Sequence, residues 1–161
     1  MTDLPLHPAV VHVPLGLAIA MPVLAIAVAV AMWRWKLPRL TLALVTVMQL
    51  LLACGAFAAM EVGLGEEKQA TQFAPRNAVQ DHKAAAESFV WGSFAVLFVS
   101  IASLFVPARR VPLLAALVAA GSVVVAGLAV DAGRKGGELV FRYGARVQTD
   151  PTSSASAPLD P

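Results

Sequence analysis

Charge is scarce in this chain: Asp, Glu, Lys and Arg make up only 14% of its 161 residues, against about 25% in an ordinary soluble domain. So little polar surface cannot solvate a globule of this size, which excludes a free-standing water-soluble domain. Hydrophobic residues make up 58% of the chain and its mean hydropathy is +0.74, so lipid is the natural solvent. Cysteine is represented by Cys54 alone. An intrachain disulfide and a Cys-x-x-Cys redox or zinc pair are thereby excluded. Among Leu51, Leu52 and Ala53, the lone thiol reads as a small packing residue. No Lys or Arg precedes the first apolar run; the earliest is Arg34. A cleaved secretory signal needs a positive region before its apolar stretch, so this run reads as an uncleaved spanning helix inserted with its N-terminus outward. The basic residues form no stripe with interleaved aromatics, and despite a pI near 9.0 nucleic acid is excluded as a partner. Gly-rich phosphate loops and nucleophile elbows are also missing. Gly133, Gly136 and Gly137 follow a helical run rather than a strand and make no dinucleotide fingerprint.

What is present is four apolar stretches, residues 11–32, 40–64, 84–106 and 111–130. Each approaches or exceeds the roughly 20 residues a helix needs to cross the hydrocarbon core. Only segments that satisfy their own backbone can cross lipid, so the pattern predicts an all-α, four-helix transmembrane bundle as a single domain over residues 1–147. Short links at 33–39 and 107–110 close two hairpins, and a polar loop from about 65 to 81 joins them. After the fourth span, 131–137 reads as a flexible exit and 138–147 as a segment lying along the membrane surface. Residues 148–161, rich in Ser, Ala, Pro and Asp, read as a disordered tail. The short links hold Arg34, Lys36, Arg39, Arg109 and Arg110 and no acid, while every Asp and Glu falls toward the other end. The positive-inside rule then places both termini outside. Trp33, Trp35 and Phe105 mark the cytoplasmic interface. Small residues four apart, Gly55, Ala59 and Gly63 on the second span and Ala116 and Ala120 on the fourth, predict close helix contacts. Pro22 predicts a kink in the first span, and Gln49, strongly polar at mid-span, predicts an interhelical hydrogen bond.

All three histidines belong to the outer layer. His7 and His12 frame the entry to the first span, and His82 opens the third. His12 and His82 lie at similar depth, and were the first and third helices neighbours their imidazoles would face each other. Two imidazoles can ligate a haem iron axially, and three with a carboxylate can hold a transition metal. Glu61 and Glu87 share this layer as candidate carboxylate ligands, with Glu66, Glu67 and Asp131 nearby. Ionisable groups at membrane depth cost about 2.5–3.5 kcal/mol at the helix centre, which makes them functional candidates. The plainer readings are that His7, before Pro8, begins a helix, and that Glu61 and Glu87 pair with Lys68, Lys83 or Arg134.

Several of these pieces resemble a bacterial membrane family known as domain of unknown function 2231. They are His7-Pro8 through Val11-His12-Val13-Pro14, Gly65-Glu66-Glu67, His82, and Gly136-Gly137-Glu138-Leu139-Val140-Phe141-Arg142-Tyr143-Gly144. The resemblance implies a four-span protein of a bacterial inner membrane. Fusion of some relatives to Rieske or other redox modules implies an electron-transfer setting, with a redox protein or quinone as partner. Tyr143 stands where many relatives have histidine and Arg146 where glycine is usual. Ligands are therefore expected from His7, His12 and His82 rather than from the tail. The resulting expectation is a membrane protein holding haem b or a transition metal at its outer face, not a stand-alone enzyme. The alternative is a non-catalytic accessory subunit or a small-solute or ion conduit, with self-association as a further expectation.

Overall fold

The protein is described by a computed structural model over residues 7–144. It consists of four long helices, α1 His7–Trp35, α2 Thr41–Phe73, α3 Arg76–Ser103 and α4 Val111–Phe141, with a single 3₁₀ turn at Ala108–Arg110 before α4. No strand occurs among the described residues. All four helices are long and apolar enough to cross a membrane.

Proline sets the breaks. α1 runs through Pro14 and Pro22 and stops where Lys36 takes a left-handed φ of 52° and Pro38 disfavours helix at Leu37. Ala74 is held extended, with ψ 149°, by the same effect of Pro75, and α3 begins at the next residue. Pro107 separates α3 from α4, and Pro112 sits in the first turn of α4, where its missing N–H costs nothing. At the far end Gly144, with φ +64°, turns its N–H back onto Val140 O at 3.1 Å.

The helices form a ring in chain order, with α1 against α2, α2 against α3, α3 against α4 and α4 back against α1. α1 and α3 therefore lie across a diagonal. Arg39 Nη1 donates to Val106 O at 3.5 Å, so the two basic links share one end, here called the link end. The α2–α3 turn and the histidines occupy the opposite, histidine end. Buried residues recur every three or four positions: Pro14, Ala18, Met21, Ala25 and Val28 in α1, and Leu42, Val45, Gln49, Leu52, Ala56 and Ala59 in α2. The same spacing runs through Phe89, Ser93, Val96, Ser100 and Ser103 in α3 and from Val111 through Ala132 in α4. This is a seven-residue repeat, the period of left-handed bundle packing. Its small residues let backbones approach closely: a Cβ on Gly121 would lie 2.7 Å from Val96 Cγ2, and one on Gly92 2.9 Å from Leu128 Cδ1.

Three expectations are corrected. The polar stretch 65–81 is not a loop, because α2 continues to Phe73 and α3 starts at Arg76. Its Glu, Lys, Gln and Ala residues are good helix formers, and Pro75 is the only strong breaker. The exit at 131–137 is likewise not flexible coil but helix, and α4 runs on unbroken to Phe141. Ala74, Val79 and Leu139 are buried together, with Ala70, Ala78 and Tyr143 packed against them, and this second core supports both extensions. At about 1.5 Å per residue α2 is about 50 Å long, well beyond a hydrocarbon core of about 30 Å. Finally, Ala116 and Ala120 are exposed on α4; the buried small residues are Ala115 and Ala119 beside them. Gly55 and Ala59 do face the interior of the bundle, Gly55 lying against Pro14 of α1. The disordered-tail expectation for 148–161 falls outside the described residues.

Candidate functional site at the histidine end

His82 lies in the second turn of α3, on the face turned toward α4. It is half-buried, and its Nδ1 is 3.1 Å from Ala132 O. A carbonyl oxygen only accepts, so Nδ1 carries the proton and the Nε2 lone pair is the basic one. The ring rests on Gly136, where a Cβ would come within 3.0 Å of His82 Cε1. Glycine at 136 thus leaves room for the imidazole close to the α4 backbone.

His12 is exposed on α1, one turn before Leu15, which reaches Gly133 of α4. His82 meets α4 from α3, while His12 stands on α1, which is diagonal to α3 rather than adjacent to it. The side chain of His7 lies outside the described residues. Glu61 and Glu87 are both exposed. Two of the three cations expected to pair with them bind elsewhere: Lys83 Nζ meets Glu67 Oε2 at 3.1 Å, and Arg134 meets Asp131 Oδ1 at 3.2 Å. Gln80 Nε2 also donates to Glu67 Oε1 at 3.1 Å. These bonds make Glu67 the hub that clasps the extended part of α2 to α3.

On α4, Asp131 takes a second cation, Lys135 Nζ at 2.9 Å, and Glu138 Oε1 takes Arg142 at 2.6 Å. The hydrogen bond that Arg142 donates to Glu138 raises the guanidinium's pKa further, so the group over the Tyr143 ring stays charged. Two hollows flank this end. One, of about 320 Å³, lies between the start of α3 and the end of α4 and is lined by Asn77, Asp81, Arg134, Lys135, Glu138 and Tyr143, among others. The other, about 530 Å³, is lined by Leu64, Glu67, Lys68, Thr71, Arg76 and Gln80. Neither is lined by His12 or His82. Among the described residues no three His, Cys, Asp or Glu side chains gather as a metal-binding group.

The sequence profile of a predicted membrane protein family, domain of unknown function 2231, matches residues 3–149. The chain belongs to this family. No curated protein and no solved structure matches it. In this member of domain of unknown function 2231, two pieces that carry the resemblance meet in space although they lie far apart in the sequence. His82, from the opening of α3, lies on Gly136, from the closing motif. Sequence reasoning singled out His82 but missed its partners. Ala132 acts through its backbone carbonyl, which no side-chain pattern reports. The available signal for Gly136 was the continuation of the inward register along α4, from Ala129 to Ala132, Gly136 and Leu139.

Proposed function

We propose that this is a small multi-pass protein of a bacterial inner membrane, with both termini on the outer face, that holds haem b through His82 for membrane electron transfer. The orientation rests on the five unopposed cations of the two links. The single observation that supports the ligand role is the His82 Nδ1–Ala132 O bond. Histidines that ligate metals commonly give their other ring N–H to a backbone carbonyl, which fixes ring orientation and raises the basicity of the ligating nitrogen. Haem is favoured over a bare transition metal because a porphyrin brings four nitrogens of its own. It needs only one or two protein ligands, whereas a metal ion needs the three-residue cluster that the described side chains do not form. His12 or His7 would supply a second ligand nitrogen; a transition metal held by His7, His12 and His82 with Glu61 or Glu87 is the lesser variant. When bound, haem would supply one-electron chemistry, and a quinone or redox protein would be its partner.

The test is an absorption spectrum with metal analysis on detergent-purified full-length protein produced with haem supplied. A Soret band at about one haem per chain is expected, abolished in His82→Ala and shifted in His12→Ala. A folded wild-type protein that is colourless and metal-free overturns the reading.

A second reading, a small-solute or ion conduit, draws on the polar groups inside the bundle. Thr46 Oγ1 and Ser100 Oγ lie 2.8 Å apart, Gln49 Nε2 donates to Ser93 O at 3.1 Å, and Ser103 and Ser122 are also buried. Reconstituted vesicles would then show a proton or solute flux that Gln49→Leu reduces; tight vesicles dismiss it.

A further inference from the structure

The hollow of about 320 Å³ between α3 and α4 has a charge arrangement that the haem reading leaves unused. On its α4 wall, Arg134 and Lys135 share one counter-ion, Asp131, and Glu138 is matched by Arg142. That wall therefore keeps one surplus positive charge. On the α3 wall Asp81 is exposed and, among the described residues, enters no ion pair, so that wall keeps one surplus negative charge. Opposite surpluses line the same hollow, and among the described residues no ion pair joins Asp81 to Arg134 or Lys135. Asn77, one turn from Asp81 on the same helix, and Tyr143 add neutral hydrogen-bonding groups to the lining.

Depth narrows the ligand. Taking the apolar stretches as ending near residues 84 and 130, Asp81, Arg134 and Lys135 all stand within about 8 Å of the hydrocarbon, at about 1.5 Å per residue. The headgroup layer on each side of a bilayer is about 5–8 Å thick. The volume lies at the low end for a small-molecule site, about 300–1,000 Å³, too small for a large cofactor. We infer that the hollow binds a zwitterionic group carrying a phosphate and a primary ammonium, the headgroup of phosphatidylethanolamine. Arg134 and Lys135 hold the phosphate, with the guanidinium fork suited to two of its oxygens. Asp81 accepts from the ammonium, which has three N–H donors; a trimethylammonium has none to give. This site is independent of the haem proposal, since His12 and His82 do not line it.

The experiment is native mass spectrometry of the full-length protein equilibrated with equal amounts of phosphatidylethanolamine, phosphatidylcholine and phosphatidylglycerol of matched acyl chains. Phosphatidylethanolamine is expected to be retained at least five-fold over either competitor. Asp81→Asn, isosteric and at the surface, should bring the ethanolamine-to-choline ratio close to one, and Lys135→Gln should lower retention of both zwitterions. Equal retention of ethanolamine and choline lipids by the wild type, preference for the glycerol lipid, or an unchanged ratio in Asp81→Asn overturns the inference. Soluble phosphoethanolamine identifies the source of the group: displacement of the lipid shows that the headgroup alone suffices, and no displacement shows that the acyl chains are required.

Discussion

Gln49 is fully buried at mid-span, yet its amide is only half satisfied. Nε2 donates to Ser93 O, while Oε1 has no partner among the described residues. The hydroxyl of neighbouring Ser93 is turned onto its own helix, at Phe89 O. An interhelical hydrogen bond in lipid contributes about 0.6 kcal/mol, whereas an unpaired buried acceptor costs about 1–3 kcal/mol. The cost exceeds the gain, so Gln49→Met, close in volume and without the carbonyl, should leave stability unchanged or raise it by about 1 kcal/mol. Thermal unfolding in detergent measures this, and a clear loss of stability would mean that Oε1 has a partner such as a buried water. The sequence singled out Gln49 because one amide among apolar residues is conspicuous. It did not reveal which helix answers it, since α2 contacts α1 on one side and α3 on the other.

At the scale of the helices, the decisive feature is the seven-residue register of small and medium residues. Gly121 faces Val96, whose branched side chain has few alternative rotamers, so Gly121→Ala should destabilise by about 1–3 kcal/mol through overpacking. Gly127 is the contrast: nothing lies within 4 Å of its would-be Cβ. Gly127→Ala should therefore be neutral or stabilise by up to about 1 kcal/mol, the difference in helix propensity. Equal effects of the two substitutions in thermal denaturation would contradict this register. The extensions of α2, α3 and α4 depend on the second core. Leu139→Ala should destabilise that cap by about 2–5 kcal/mol. Hydrogen exchange should then quicken at residues 66–81 and leave the spans protected; uniform quickening would mean that cap and bundle unfold as one unit.

For the whole molecule, the charge asymmetry makes a topological prediction. The lone Cys54, which is exposed, is first removed by Cys54→Ser. In that background Thr71→Cys should react with a membrane-impermeant maleimide in intact cells, and Arg109→Cys only after lysis. The reverse pattern would invert the bundle and put the histidine end in the cytoplasm. Both test positions are exposed, so accessibility to the reagent depends on the side of the membrane rather than on burial.

Four membrane-crossing helices, their order and the grouping of cations at one end were legible in the sequence, because apolar length and charge position act along the chain. The inward face of each helix was not. Lipid and bundle interior are both apolar, so helices hydrophobic all round carry little amphipathic signal. For that reason Ala116 and Ala120 looked as suited to packing as Ala115 and Ala119, which are the ones buried. Polar composition also disguised the helical extensions, whose stability comes from Ala74, Val79 and Leu139 meeting across the chain. His82 stood out as an ionisable group at the membrane edge, but its Nδ1 proton, its seat on Gly136 and the diagonal separation of α1 from α3 follow only from how the four helices close into a ring.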